Sequence, residues 1–516
     1  MSILRAAAIA ALFLVTAPFA AVANDVTLTA RDGSVELTGM LLGYDGEFYR
    51  IDTEYGVLTI DGSGVTCDGP GCPGLGAFVA EFTISGAQEM GAVLIPALVE
   101  GFALRHSYAL KREELAGVGF LYTLFEGDAG REAARITIKL TSSDEGFADL
   151  LGNQADMVIS MREATGRERA MAREAGMGDL RSLRQVRVIA LDALVPVVAP
   201  GNPVRRLSMT QLMQIYSGQV TNWSELGGED APITPYLRDA SLGFGRVFVT
   251  DVVRAQGGAL ADNVLTQVSD AALTHAVSED PFGIGIAGFS HPGNAEVVTL
   301  SGRCGFDLAA TRNSIKAEDY PLTTPMYLYL PARRLPKLAR DFLAYMRSDA
   351  AQFVTRRAGF VDQAFGEIPV GAQGDRLANA IRAAGPEVGL DELKRMAEIM
   401  ANATRLSLTF RFEGGSIVLD APSRSNVALL ARALEAGRFD GRQMAFVGFG
   451  DGQGAASLNL KIARRRAAAV RKAVLAEMEG AKPDLAIEAF GEALPMACDD
   501  SAWGRTVNRR VEIWLR

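Results

Sequence analysis

The sequence predicts a multidomain α/β protein with a small β unit near its N-terminal end. Three observations carry this. At 516 residues the chain is too long for one ordinary hydrophobic core, so two or three domains are expected. Residues 26–66 alternate apolar and polar side chains between Asp-Gly turns, the pattern of short antiparallel strands. From residue 76 onward β-type runs alternate with helical ones, the pattern of packed α/β layers.

The chain opens on "MSILRAAAIAALFLVTAPFAAVAND". Arg5 gives a positive start, Ala6–Val15 a short apolar run, and Ala21-Val22-Ala23 a small-residue cleavage site before Asn24. Residues 1–23 therefore read as a secretory signal peptide and are excluded from the fold. An uncleaved anchor fits less well, because the apolar run is short and Pro18 interrupts it. No later segment reaches the apolar length of a membrane span, so the mature protein is expected to be soluble, in the periplasm. A net charge of −9 argues against a general nucleic-acid binder, which needs a basic face.

Residues 24–75 form the small β module. Its strands read "VTLTA", "VELTGMLLGYD", "EFYRIDTEY", "GVLTIDG" and "GVTC", with turns at Asp32-Gly33, Asp45-Gly46 and Asp61-Gly62. Cys67 and Cys72 flank the tight turn "DGPG" and are expected to pair. Cys304 and Cys498 either clamp two domains together or stay as free buried thiols, and spacing does not choose between them. No metal site is expected, since His106, His275 and His291 lie at no ligand spacing from a cysteine.

Residues 76–365 hold strand-like runs such as "RITIKL", "ADMVIS" and "GIGIAGFS" between helical patterns, so ligand sites are expected at strand ends. Residues 366–402 are polar and helical with glycine breaks, and are expected to be a helical linker. Residues 403–516 return to a strand–helix–strand pattern that ends in "VNRRVEIWLR".

The block "VPVVAPGNPVRRLSMTQLMQIYSGQVTNWSELGG" (195–228) resembles the phosphate-binding protein of phosphate ABC transporters, a type 2 periplasmic binding fold. "FTISGAQEMGAVLIPALVEGFA" (82–103) and "TSSDEGFADLLGNQADMVIS" (141–160) extend the likeness, and "YPLTTPMYLYL" (320–330) carries it to the closing strand. The resemblance implies a two-lobed α/β domain that closes on an anion held by helix N-termini, hydroxyls and a guanidinium. Carried over position by position, it implies a cleft made of Ser85, Gly86, Ala87, Ser143, Asp156, Arg238 and Ser241. The pattern departs from the family in three places: "GAQEM", "SSDEG" and "RDASLGF" replace hydroxyls with apolar groups or with the acids Glu89, Asp144 and Glu145. Those acids either oppose an anion in the cleft or sit as solvated first-turn residues favoured by the helix dipole. The expectation is a phosphate-binding-like fold with altered or lost specificity, whose solute is phosphate, another oxyanion or nothing.

The last hundred residues resemble the OmpA-like peptidoglycan-binding domain. "FVGFGDGQG" stands at that family's G-H-T-D-x-x-G, and "NLKIARRRAAAV" at its N-x-x-L-S-x-x-R-A-x-x-V. Gly450 and Ala463 replace the usual threonine and serine. The resemblance implies an α/β sandwich whose Asp451, Asn459 and Arg466 bind the diaminopimelate of the stem peptide. The free end of that residue is a zwitterion, so Asp451 would hold its ammonium and Arg466, bidentately, its carboxylate. Arg464, Arg465 and Arg466 cannot share one helix face, and the alignment selects Arg466. Arg509 and Arg510 are expected to support the structure or to line the rim.

The expected function is a non-catalytic periplasmic solute-binding protein tethered to peptidoglycan. The alternative is an architectural envelope protein whose empty cleft contacts another protein. An enzyme is disfavoured by the absence of G-x-S-x-G, HExxH and clustered histidines, and no cofactor is expected.

Overall fold

The computed structural model describes residues 25–73, 78–127, 130–302, 306–385, 387–480, 482–499 and 502–516. The signal segment expected at 1–23 lies outside the described residues. The chain divides into two compact units, Met1–Ala80 and Glu81–Arg516.

The first unit is one five-stranded antiparallel sheet. In spatial order the strands are Gly56–Asp61, Phe48–Thr53, Glu36–Tyr44, Asp25–Ala30 and Val65–Asp68. The Asp-Gly turns act as expected: Asp45 accepts from the N–H groups of Glu47 and Phe48 at 2.9 and 2.7 Å. A bulge between Leu41 and Gly43 bends the long strand over a core of Val26, Leu28, Tyr49 and Ile51. Cys67 and Cys72 are joined by a disulfide, Cα to Cα 5.8 Å. Cys498 is also disulfide-bonded; Cys304 lies outside the described residues.

In the second unit, Ala80–Ala87 runs parallel to Met157–Ser160, and Thr234–Arg238 runs parallel to Gly283–Gly288. These parallel pairs are the hearts of two lobes. Two long strands connect them, Val186–Val198 and Thr323–Tyr329, antiparallel to one another. Val186–Val198 pairs with Thr323–Tyr329 along its first part and with Gly283–Gly288 along its last. It is a run of apolar residues because both faces are covered.

The C-terminal sheet has the order Glu367–Pro369, Thr404–Arg411, Arg510–Leu515, Met444–Phe449, Leu485–Gly491. Strand alternation sends Phe446 and Ile513 to one face and Val447 and Trp514 to the other. Helices Ala421–Glu435 and Ala456–Glu477 cover the first face. The second is covered by helices Gly374–Ala383 and Leu390–Met400, through Ala380, Met396 and Met400. The stretch expected to be a linker thus supplies an edge strand and a packed layer of this sheet. Its helical character is legible in the sequence; what it packs against is not.

Charge joins the C-terminal sheet to the lobes. Arg405 donates twice to Asp319, at 2.6 and 2.9 Å, and Arg411 donates to Glu318 at 3.0 Å. Behind Arg405 lies Glu512, which is fully buried and bonded to Arg510 and Arg376. Its carboxyl is held far below the usual range: burial opposes this, but the guanidiniums of Arg376, Arg405 and Arg510 together outweigh it.

Candidate functional site

Two places merit description, the gap between the lobes and the loop end of the C-terminal sheet. The gap lies at the C-terminal ends of Ala80–Ala87 and Met157–Ser160, where parallel strands leave room for a ligand. The expected residues do not all converge there. Ser85 is buried and turned inward, its Oγ donating to Asp149 at 2.7 Å. Gly86 is needed for close approach, because its φ is +139° and a Cβ would collide with the carbonyl of Ile159. Ala87 is enclosed at 1% exposure. Asp156 is a correction: it precedes Met157–Ser160 and so stands at the opposite strand end, accepting from Thr83 N–H at 2.8 Å and pairing with Arg333 at 2.8 Å. Met161 and Arg162 hold the gap end of that strand.

Ser143, Arg238 and Ser241 do reach the gap. Ser143 accepts from Met161 N–H at 3.1 Å. Ser241 folds back on Asp239 at 2.6 Å, and Arg238 donates to Asp270 at 2.9 Å.

Glu89 fills the centre. Its carboxylate crosses from one lobe to the other and lies against Gly243 in the first turn of helix Gly243–Phe248, beside the backbone N–H of Phe244. It is pressed against Gly243, where a Cβ would overlap it, and Arg238 lies within electrostatic reach. Desolvation pushes the Glu89 carboxyl above its usual range; the backbone bonds and Arg238 oppose that, and Asp270 adds to it. A second acid spans the gap: Asp144 accepts from Arg162 of its own lobe at 2.9 Å and from Arg246 of the other at 2.7 Å. The acids gained in the sequence are therefore not all solvated. Only Glu145 follows the plain pattern, in a capping box with Ser142. What remains open is a cavity of about 480 Å3 on one side of Glu89 and one of about 330 Å3 on the other.

In the C-terminal domain Asp451 sits in the loop between strand Met444–Phe449 and helix Ala456–Glu477. Gly448 lets that helix approach, since a Cβ there would strike the Ala463 carbonyl. Asp451 accepts from Arg509 at 2.6 Å. Arg466 is 3% exposed, whereas Arg464 and Arg465 are exposed, as the face argument required. The Arg466 guanidinium lies over the Phe412 ring and donates to the carbonyls of Ser416 and Gly415 at 3.3 Å each. Burial lowers its pKa, Arg509 lowers it further, and Asp451 opposes both. Asp451, Arg466 and Arg509 thus lie within electrostatic reach of one another. Asn459 brings a buried amide nitrogen that completes no well-formed hydrogen bond and lies close to the Glu492 carboxylate.

Beside this cluster is a cavity of about 570 Å3 with an acidic rim of Glu387, Glu492 and Asp499. Glu387 comes from the segment before Leu390–Met400 and accepts from Ala456 N–H at 2.9 Å, capping the helix that carries Asn459 and Arg466. Sequence reasoning missed Glu387 because it lies 69 residues away. It also left Arg509 undecided: the basic pair is visible, but which member turns to Asp451 is set by strand alternation, which buries Arg510 against Glu512.

A family model described as a PBP superfamily domain matches residues 125–350, and one described as the OmpA family matches residues 411–509. The phosphate-binding protein PstS of Bacillus subtilis is 28% identical over 165 residues, 32% of this chain and 52% of that protein. PstS of Borreliella burgdorferi is 21% identical over 236 residues, 44% of this chain and 79% of that protein. The match thus spans only about half the length of the first of these relatives. Among solved structures, an ABC-type phosphate transport receptor from Vibrio cholerae is 20% identical with a TM-score of 0.41, covering 54% of this chain and 99% of that one. The periplasmic domain of Helicobacter pylori MotB is 22% identical with a TM-score of 0.19, covering 22% of this chain and 73% of that one. The chain therefore joins a phosphate-binding-protein-like domain of the PBP superfamily to a C-terminal domain of the OmpA family.

Proposed function

We propose that this chain is a non-catalytic, periplasmic binding-protein-like protein held non-covalently on peptidoglycan by its C-terminal domain. The observation that carries the reading is the convergence of Asp451, Arg466 and Arg509 beside the buried amide of Asn459. A diaminopimelate end presents an ammonium and a carboxylate together. Asp451 with the acidic rim would take the ammonium, and Arg466 with Asn459 the carboxylate. Buried donors left without a partner are costly, so a ligand that satisfies them binds with specificity as well as affinity. No helix among the described residues is long and apolar enough to cross a membrane.

For the lobed domain, Glu89 favours the second reading, of a cleft that takes no free phosphate. A carboxylate already occupies the helix start beside Arg238, and a phosphate dianion in its place would meet that acid unpaired. The domain then serves as a closed body for contact with another envelope protein. The experiment is co-sedimentation of the purified protein with sacculi. Wild type is expected in the pellet, with Asp451→Ala and Arg466→Ala left in the supernatant. Wild type remaining in solution would refute the tether, and mutants that pellet equally would refute this site.

A further inference from the structure

A pocket of about 110 Å3 lies where strand Val186–Val198, the turn at Arg347 and helix Ala421–Glu435 meet, at the junction of the lobed and C-terminal domains. Its charged lining is four arginines, Arg187, Arg347, Arg432 and Arg438, against one carboxylate, Asp349. Arg187 is the inner one: its Nε is buried and has no hydrogen-bond partner. Arg347, Arg432 and Arg438 are more exposed and stand toward solvent. Arg438 lies over the Phe365 ring at 5.1 Å, and Arg432 has Glu435 and Glu477 within electrostatic reach. Across this junction Ser425 Oγ accepts from Val188 N–H at 3.2 Å, so both domains hold the pocket in shape.

The charges that act on Arg187 are Arg347 and Arg432, both of its own sign. Burial pushes its guanidinium down to about 9, and those two neighbours push the same way. The two most deeply buried guanidiniums among the described residues are paired, Arg405 with Asp319 and Arg510 with Glu512. Arg187 is half-buried with its Nε enclosed, and a partly desolvated cation facing only like charges is costly, a cost that falls when an anion enters. Guanidiniums fork onto tetrahedral oxyanions through parallel N–H bonds. The volume suits a compact ion, being several times the roughly 10–15 Å3 that a single water needs on the same kind of measure.

We propose that this junction pocket binds a phosphate-type oxyanion, with Arg187 as its inner ligand and Arg347 and Arg432 closing over it. The anion then bridges the two domains and neutralises a charge that the fold leaves open. This site is separate from the gap between the lobes, where Glu89 supplies the negative charge.

The test is calorimetric titration of the full chain with inorganic phosphate in low-salt, phosphate-free buffer, together with thermal scans. Wild type is expected to bind phosphate and to melt at a higher temperature with it. Arg187→Gln is expected to weaken binding at least tenfold, and Arg432→Gln, at an exposed position, to weaken it as well. Arg187→Met is expected to melt at or above the wild-type temperature without phosphate and to gain nothing from adding it. Wild type that binds no phosphate would overturn the proposal. So would binding undiminished in both Arg187→Gln and Arg432→Gln, or binding lost instead in Arg238→Gln, which would move the ion to the gap.

Discussion

The carboxylate of Glu89 lies against Gly243, and so one lobe supplies an anion to the helix start of the other. With the Asp144–Arg246 pair at 2.7 Å, this latches the lobes without a solute. Binding proteins that close on a ligand are open without one; here the closing charge is built in.

The first prediction concerns shape. Small-angle scattering of the wild type should give the same radius of gyration with and without phosphate. Glu89→Ala combined with Asp144→Ala should give a larger one. A wild type that contracts on adding solute would mean that the latch is open in solution.

A second prediction concerns the domain junction. Asp319→Ala leaves Arg405 buried and half unpaired, beside a network that includes Glu512. The expected loss is about 3–5 kcal/mol, the usual result of removing one partner of a buried pair. Arg405→Met, which removes the cation as well as the bond, should not simply double that loss. Scanning calorimetry reads both. A change under about 1 kcal/mol in Asp319→Ala would show a solvated pair.

A third prediction concerns pH. Asp192 is fully enclosed and accepts from Ser290 Oγ at 2.6 Å, Ala193 N–H at 2.8 Å and Ser290 N–H at 3.0 Å. Desolvation outweighs those bonds and raises its carboxyl to about 7. The unfolded value is about 3.9. Between these two pKa values the folded state holds a proton that the unfolded state has released, so stability falls as pH rises through that window. Asp192→Asn removes this term. The melting temperature of wild type relative to Asp192→Asn should therefore drop between pH 5 and pH 8. A constant difference would show that Asp192 is ionised throughout.

Much of this was legible because local chemistry fixed it. Asp-Gly turns at 45–46 and 61–62 punctuate the N-terminal strands, and the spacing of Asp451, Asn459 and Arg466 survives in the fold. The failures share a cause, which is that direction depends on tertiary partners. Asp156 immediately precedes a strand that ends in the gap, and so sits at the opposite end. Glu89 reads as an ordinary first-turn acid until the other lobe brings Gly243 against it. Arg187 lies in an apolar strand whose pattern says only that the strand is covered. That its neighbours are Arg347 and Arg432 follows from packing across 160 and 245 residues of sequence.

The central claim is that Asp451 and Arg466 grip the two ends of a diaminopimelate zwitterion. It is tested most directly by titrating the full protein with a stem tripeptide ending in meso-diaminopimelate, and with its lysine counterpart, which keeps the ammonium but lacks the side-chain carboxylate. The account predicts binding of the first and at least tenfold weaker binding of the second, with Arg466→Ala erasing the difference. Equal affinity for the two peptides in the wild type would contradict it.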